Sequence, residues 1–483
     1  MKLKDILRDI SVIKLTADMD MEISSVTIDS RRAAPGSLFV AMTGFETDGH
    51  LYIPSAAENG AAAVVCEKAP EGGVPYVMVE NSRAALAAIG ANFYGHPERE
   101  MTFIGVTGTN GKTTTTYLMK SVLEQAAGAK VGLIGTNQNL IGEEVVPTER
   151  TTPESLELFC LFRRMADAGC THVVMEVSSH ALCLHRVDGI RFRIGIFTNL
   201  TEDHLDFHKT MEAYRQAKEL LFCQSDVGII NLDDPSADII VGSAPCRVYT
   251  YSVDRIEANL VAKDIQLSSD CVKFQALTME NIQRIRLNIP GQFSVYNALG
   301  VIAASLNLGI ALPDIAEALK NAKGVKGRVE VVPTDGDYTI LIDYAHTPDA
   351  LENVLNTVRG FAGGRVVVLF GCGGDRDPIK RPIMGEIAVR MADKVIITSD
   401  NPRTEDPEKI IADIVKGTVG TKTPLEIIPD RVEAIHRAID THKPGDVIVL
   451  AGKGHETYQI VGKVKHHMDE REIVADYLAL RKK

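Results

Sequence analysis

Two periodicities run through this chain. Short β-branched runs bounded by glycine, serine or asparagine alternate with longer stretches whose apolar residues recur three and four apart, reading as buried strands and amphipathic helices respectively. In the first part, Gly36 to Ala41, Ala61 to Cys66 and Tyr76 to Val79 read as strands, with helices over Ile53 to Asn59 and Arg83 to Tyr94. Next, Thr102 to Val106, Val131 to Thr136, His172 to Val177 and Ile194 to Thr198 are strands. Helices are expected over Thr113 to Gln125 and Thr210 to Gln224, and Thr151-Thr152-Pro153-Glu154-Ser155 reads as a helix start with proline in the first turn. From Val248 to about Pro290 the pattern is strictly alternating, as in Val272-Lys273-Phe274-Gln275-Ala276-Leu277, and Gly291 to Asn297 opens an alanine- and leucine-rich helix. Strands then return at Thr339 to Ala345, Arg365 to Phe370, Lys394 to Thr398, Leu425 to Ile428 and Val447 to Leu450.

This alternation gives an α/β chain in three domains: a small N-terminal α/β domain (1–99), a central P-loop-type ATP-binding α/β domain (100–327) and a C-terminal Rossmann-like α/β domain (328–483). His96-Pro97-Glu98-Arg99 reads as a linker. Composition adds little beyond exclusions. At 45% hydrophobic and 24% charged, the 483 residues are those of a soluble enzyme. A net charge of −12 disfavours nucleic acid as partner. No uncharged apolar run is long enough to span a bilayer, so no membrane insertion is expected. Eight scattered cysteines without a Cys-x-x-Cys pair fit reduced thiols in a cytoplasm.

Candidate chemistry starts at Gly105-Val106-Thr107-Gly108-Thr109-Asn110-Gly111-Lys112-Thr113-Thr114, between a strand and a helix. Glycines let backbone N–H groups turn inward, the helix N-terminus adds partial positive charge, and a lysine reaches the outer phosphates. Val106 replaces the first glycine of the usual pattern. Glu176 ends a buried strand, where parallel sheets place ligands, and can reach a magnesium held by the nucleotide. Asn199 to His208 packs two histidines and three acids into ten residues. His204 and His208 share a face if this turn is helical. Zinc is conceivable there, but magnesium chemistry suits the phosphate loop better. Lys218, taken alone, is a solvated helix lysine, and Ser30 and Arg31 lie in what reads as a solvated loop. In the third domain four motifs follow strand ends on one edge: Asp343 to Pro348, Gly373 to Asp377, Asp400 to Arg403 and Gly452 to Glu456.

Together, Thr107 to Thr114, Glu176-Val177-Ser178-Ser179-His180, Asn199 to His208 and Asp343 to Pro348 resemble the Mur ligases of peptidoglycan precursor synthesis. The likeness covers essentially the whole chain. It is strongest to the branch adding the third peptide residue to UDP-N-acetylmuramoyl-L-alanyl-D-glutamate. In that branch the loop Asp-Asn-Pro-Arg, here Asp400, Asn401, Pro402 and Arg403, marks members that take meso-diaminopimelate. The resemblance implies an ATP-dependent ligase working through an acyl phosphate, with magnesium (Mg2+) as cofactor and a CO2-derived carbamate on Lys218. It implies that Gly108, Thr109, Asn110, Gly111, Lys112, Thr113 and Thr114 hold ATP, joined by Asn297, Arg328 and Asp343. Thr113, Glu176, His204 and carbamylated Lys218 are its implied metal ligands. The UDP substrate is expected at Ser30, Phe45, Glu46, Thr47, Thr151, Thr152, Ser178 and Arg186. Diaminopimelate is expected at Arg376, Asp400, Asn401, Pro402, Arg403, Gly452 and Glu456. Ser294 and Leu184 depart from the family's common asparagine and glutamine. A monomer is expected, with the third domain closing onto the second. The competing readings are a folylpolyglutamate synthetase-like ligase, which lacks reason to carry the Asp400 loop, and a P-loop ATPase switch, which leaves the third-domain cluster without a role.

Overall fold

The computed structural model describes residues 1–44, 47–148, 150–334 and 336–481. These fall into two compact units, Met1–Asn259 with Gly300–Ile310, and Leu260–Leu299 with Ala311–Lys483.

The first unit begins with a five-stranded sheet in the order Lys14–Leu15, Tyr76–Met78, Ala61–Cys66, Ser37–Val40, Ser25–Thr27. Its two faces are built by strand alternation: Leu38, Val40, Ala63 and Val65 pack with Leu86 and Ile89 of the Ser82–Phe93 helix. Phe39, Val64 and Cys66 turn the other way, onto Ile53 and Ala56.

A second sheet in this unit runs Arg247–Ser252, Ser225–Asn231, Phe192–Phe197, Thr102–Thr107, His172–Glu176, Val131–Ile134, all parallel. An antiparallel extension follows, Asn139–Ile141 and Glu144–Val146. The chain leaves Thr102–Thr107, skips a place to Val131–Ile134, then returns to its other side. That reversal puts the phosphate loop at the centre of the strand-end edge.

In the second unit, Leu260–Leu267, Val272–Leu277 and Ile282–Leu287 pair antiparallel. Val272, Phe274 and Ala276 are buried while Lys273 and Gln275 are half-exposed, the alternation expected of a one-sided sheet. The final sheet runs Glu330–Val332, Thr339–Asp343, Val447–Ala451, Val366–Phe370, Lys394–Ile397, Leu425–Ile427, parallel after its first strand. Helices Pro348–Arg359, Lys380–Met391 and Pro407–Val415 cover one face through Leu351, Leu355, Met384, Ala388, Ile410 and Ile414. Arg431–Asp440 and Glu470–Arg481 cover the other through Ile435, Ile439, Val474 and Leu478. The antiparallel edge strand Glu330–Val332 and the hairpin Tyr458–Val461/Val464–His467 are not foreseen by the sequence reading.

One expectation fails locally. The helix-start signal does not open a helix at Thr151: the helix is Ser155–Asp167, Pro153 precedes its N-cap Glu154, and no side chain caps it. The hydroxyls are used elsewhere, as the site shows. No helix among the described residues is long and apolar enough to cross a membrane, and all eight cysteines are free.

Candidate active site

The Thr102–Thr107 strand passes through Gly108, at φ 145°, and Gly111, at φ 86°, into the Lys112–Ala127 helix. Gly108 has to be glycine here, because a Cβ would stand 1.9 Å from Thr198 Oγ1. The loop is held from beneath by the segment that follows Phe192–Phe197. Thr198 Oγ1 donates to Asn110 O (2.7 Å), Asn199 Oδ1 accepts from Asn110 N (2.8 Å), and Thr109 N donates to Asn199 O (2.9 Å). Lys112 Nζ arches back over the loop to the carbonyls of Gly108 (2.9 Å) and Thr109 (2.8 Å). Thr113 and Thr114 are buried in the first helical turn, and Gly111, as N-cap, brings no capping side chain. The result is a rigid cradle of backbone with an ammonium group over it, at a helix N-terminus, which suits a polyphosphate.

Beside it, Glu176 is buried at the end of His172–Glu176. Its carboxylate accepts from Thr136 N (2.8 Å) and Thr136 Oγ1 (3.0 Å). A Cβ on Gly135 would come within 2.5 Å of Glu176 Oε1, so this turn is shaped around the carboxylate. Thr152 Oγ1 donates to the Glu176 carbonyl (2.8 Å) and accepts from Ser178 N (3.2 Å). These bonds explain the missing helix start: Thr152 serves the end of the strand rather than the helix N-terminus. Ser178 instead caps Ser179–Cys183, accepting from Ala181 N.

The dense Asn199 to His208 run forms only a single helical turn, Leu205–His208, preceded by His204 in the left-handed region at φ 54°. His204 stands just before the turn as its N-cap, with its carbonyl accepting from His208 N (3.0 Å). His208 is buried, with Nε2 2.8 Å from Ser179 Oγ, while His204 is half exposed; both rings lie against His180, at 4.9 and 5.5 Å between centroids. Lys218 is not the solvated lysine its surroundings suggest. It is 1% exposed on the Met211–Cys223 helix, with Nζ 4.2 Å from the Tyr214 ring centroid. Burial, reinforced by the charge of Lys112 and opposed by Asp203, pulls its pKa well below that of an ordinary lysine.

These donors bear on a divalent cation. Among the described residues no three histidine, cysteine or acidic side chains cluster to hold a metal. A divalent cation at Glu176, the Thr113 hydroxyl and His204 would need further oxygen donors, such as those of a phosphate. A buried amine held neutral is the nucleophile that CO2 requires, and its carbamate is an oxygen anion, the donor magnesium prefers. The residues fit the group.

In the second unit, the strand ends form another cluster. Asp343 accepts from Val329 N (2.8 Å) and Ala345 N (2.9 Å); burial raises its pKa, with the Arg328 charge opposing. Arg328 itself lies 5.5 Å from the Tyr344 ring centroid. Lys453 is fully buried, and its ammonium reaches Asn401 Oδ1 (2.9 Å), Glu456 Oε2 (2.8 Å) and the Tyr458 carbonyl. Asn401 Nδ2 also donates to Glu456 Oε2 (2.9 Å). Gly452, at φ 112°, sits where a Cβ would meet Asp400 Oδ2 at 2.7 Å. Arg403, at φ 50°, donates from Nη1 to Gly374 O (2.9 Å), and Pro402 O packs against Gly374 so closely that a Cβ there would lie 2.0 Å away. Arg376 is exposed and donates to Asp375 O (3.1 Å). So Asn401 and Glu456 meet at Lys453, Asp400 lies against Gly452 and Arg403 against Gly374, while Arg376 is exposed.

Comparison with known proteins matches three stretches of this chain. Residues 22–94 match the Mur ligase family catalytic domain, 106–305 the Mur ligase middle domain, and 327–454 the Mur ligase glutamate ligase domain. The UDP-N-acetylmuramoyl-L-alanyl-D-glutamate--2,6-diaminopimelate ligase of Caldanaerobacter subterraneus subsp. tengcongensis is 48% identical, over 99% of both chains. The chain belongs to the Mur ligase family. The equivalent ligase of Clostridioides difficile is 46% identical over 99% of this chain and 100% of its own. A solved structure of a ligase of that name superposes with a TM-score of 0.75 at 31% identity, covering 100% of this chain and 99% of that one. Mycobacterium tuberculosis folylpolyglutamate synthase shares the fold at 16% identity and a TM-score of 0.61, over 76% of this Mur ligase and 92% of its own chain. Mur ligases are ATP-dependent acid–amino-acid ligases, so the P-loop is that of an enzyme and not of a switch.

The remaining expected substrate residues of this Mur ligase lie in the first unit, apart from Asn297 in the second. Ser30 is buried at the start of a short 3-10 turn, its carbonyl accepting from Asn59 Nδ2 (3.0 Å), whereas Arg31 is exposed; the solvated-loop reading holds only for the arginine. Thr47 Oγ1 is 3.2 Å from Tyr52 OH. Phe45 and Glu46 lie outside the described residues. Thr151 Oγ1 is 3.0 Å from Thr136 Oγ1, which ties it to Glu176. Arg186 donates to Thr152 O (3.1 Å). Asn297 is buried in the Gln292–Asn307 helix. Sequence reasoning misses Thr136 and Thr198, and singles out the Gly452 to Glu456 motif without giving Lys453 a role. The first two are isolated hydroxyls after strands, and only the sheet order brings them to the site.

Proposed function

We propose that this Mur ligase joins meso-2,6-diaminopimelate to the D-glutamyl residue of UDP-N-acetylmuramoyl-L-alanyl-D-glutamate, cleaving ATP to ADP and phosphate in peptidoglycan precursor synthesis. The observation that carries it is 46–48% identity over essentially the full chain to ligases of that name. The buried Asp400 to Arg403 loop supports it. Residues 1–99 take the UDP substrate, 100–327 take ATP and 328–483 take the amino acid. With free cysteines throughout and a UDP-linked substrate, we place the enzyme in the cytoplasm, acting as a monomer.

In this reading the phosphate-loop amides and Lys112 hold the triphosphate, and Asn297, Arg328 and Asp343 serve the nucleotide. Thr113, Glu176, His204 and the carbamate of Lys218 would hold magnesium, which when bound would supply charge neutralisation at the transferring phosphate. An oxygen of the D-glutamyl γ-carboxylate attacks the γ-phosphorus, forming an acyl phosphate as the bond to the ADP oxygen breaks. The diaminopimelate amine then attacks the carbonyl, loses a proton, and expels phosphate. Ser30, Thr47, Thr151, Thr152, Ser178 and Arg186 align the dipeptide end, and orientation supplies much of the rate. Asn401, Arg403 and Glu456 receive the diaminopimelate head that lysine lacks. An arginine fork left without its carboxylate is a partly desolvated, unpaired cation, which discriminates against lysine. Mass analysis after incubation with UDP-dipeptide, ATP and diaminopimelate tests this: a UDP-tripeptide carrying one amide-linked diaminopimelate is expected, and unchanged UDP-dipeptide contradicts it.

A further inference from the structure

Asp375, at φ 52°, and Arg403, at φ 50°, both take the left-handed backbone region that side chains rarely adopt. Such a conformation costs energy and persists where the surrounding contacts over-determine it. Here the two loops that carry these residues are stapled together. The hairpin holds the Arg403 backbone from one side: Arg403 N donates to Ile460 O (3.1 Å) and Arg403 O accepts from Gly462 N (2.7 Å). On the other side Gly374 N donates to Asn401 O (2.9 Å), and Thr404 donates to the Asp375 carboxylate from Oγ1 (2.7 Å) and from N (3.2 Å).

Glu405 closes the staple. Its Oε1 accepts from Asp375 N (2.5 Å), and its two carboxylate oxygens accept from Arg381 Nη2 (2.8 and 2.9 Å). Arg381 is buried, at 3% exposure, near the start of Lys380–Met391, and its Nη1 also donates to Asp413 Oδ2 (3.1 Å) of Pro407–Val415. One buried cation thus ties two helices to the loops beside them. Its hydrogen bond holds the Glu405 carboxyl below the usual carboxylate range, so Glu405 accepts as an anion.

The consequence falls on the Arg403 guanidinium. Its Nη1 donates to Gly374 O (2.9 Å), and Gly374 O belongs to the same peptide plane as Asp375 N. That plane is rigid. It is gripped at both ends, its N–H by Glu405 and its C=O by Arg403. An anion on the N–H also polarises the carbonyl into a stronger acceptor. With one nitrogen of the fork spent on this carbonyl, the plane of the guanidinium is set, and pairing with a carboxylate depends on that plane.

We propose that Glu405, anchored by Arg381, is a positioning residue for amino-acid recognition, setting the Arg403 guanidinium through the Gly374–Asp375 peptide for the second carboxylate of a diamino diacid. The inference rests on the substrate proposed above. Glu405 touches no ligand in it.

Initial rates of UDP-tripeptide formation test it, with ATP, UDP-dipeptide and diaminopimelate each varied, in wild type, Glu405→Ala, Arg403→Met and the double variant. Glu405→Ala is expected to raise KM for diaminopimelate by roughly tenfold, with KM for ATP and for UDP-dipeptide unchanged. Glu405→Gln keeps an oxygen for the Asp375 N–H and should recover part of the loss. Because Glu405 acts through Arg403, the double variant should be no worse than Arg403→Met alone. Losses that multiply in the double variant overturn the proposal, as does an unchanged KM for diaminopimelate in Glu405→Ala. A rise in KM for all three substrates also overturns it and leaves Glu405 as a brace of the loop. Glu405 is 34% exposed; should Glu405→Ala still fail to fold, Glu405→Gln carries the same non-additive expectation with Arg403→Met. Wild type that forms no tripeptide with diaminopimelate overturns the substrate reading itself, and this inference with it.

Discussion

Lys453 is fully buried, and its ammonium protons are spent on Asn401, Glu456 and the Tyr458 carbonyl. It touches none of the ligand in our reading, yet it fixes two side chains that do. Replacing it by methionine removes charge-assisted bonds of roughly 1.5–3 kcal/mol each, and a loss of 1.4 kcal/mol is about tenfold in affinity. Lys453→Met is therefore expected to raise KM for diaminopimelate by roughly tenfold to a hundredfold while KM for ATP stays put, read from initial rates with each substrate varied. A parallel rise in both would mean that the residue only supports the fold. The sequence shows the Gly452 to Glu456 motif but not this role. The motif taken alone could be a turn, and besides Glu456 its acceptors come from the Asp400 loop, dozens of residues away, and from the unforeseen hairpin strand Tyr458–Val461. Lys218 teaches the same lesson: helical spacing beside Leu220 and Leu221 cannot say that Tyr214 covers it. The family resemblance could, because it compares residues one by one.

At the scale of elements, strands were easiest to read where both faces are buried, as Val366–Phe370 and Val447–Ala451 are, since continuous β-branched runs between turns have few other uses. The three-residue edge strand Glu330–Val332 offers too short a pattern, and the Thr151 helix start misleads because a hydroxyl can serve a distant strand end as well as a nearby N–H group. Element ends also carry stability. Asp446, just before Val447–Ala451, accepts from Arg365 Nη2 (2.6 Å), Arg365 N (3.1 Å) and Lys443 N (2.7 Å), which clamps two neighbouring strands. Burial alone would raise its pKa, but those bonds outweigh it and hold the pKa below the ordinary 3.8. Because the folded value lies below the unfolded one, the stabilisation is complete above that ordinary value and is lost as pH falls through the folded value. Asp446→Asn is expected to lose about 2 kcal/mol at pH ~7. The gap to wild type should narrow below pH 3.8 in denaturant titrations. A gap that stays constant with pH would mean that the charge of Asp446 contributes nothing.

For the whole molecule, three α/β sheets and their order along the chain follow from the alternation of strand and helix, because each βαβ crossover needs a helix of its own. What each sheet edge binds does not follow from that pattern: a glycine turn is a phosphate cradle only when a second strand end, here Thr198 and Asn199, supports it. The central claim is that phosphate transfer is tied to one amine through the Asp400 to Arg403 loop. The most direct test measures phosphate release and UDP-tripeptide formation together, with UDP-muramoyl-dipeptide and ATP present, against meso-diaminopimelate, L-lysine or no amino acid. Our account predicts equimolar phosphate and tripeptide with diaminopimelate and far less of both with lysine or with no amine. Equal product with lysine would contradict the role given to that loop, and steady phosphate release with no peptide product would contradict the ligase itself.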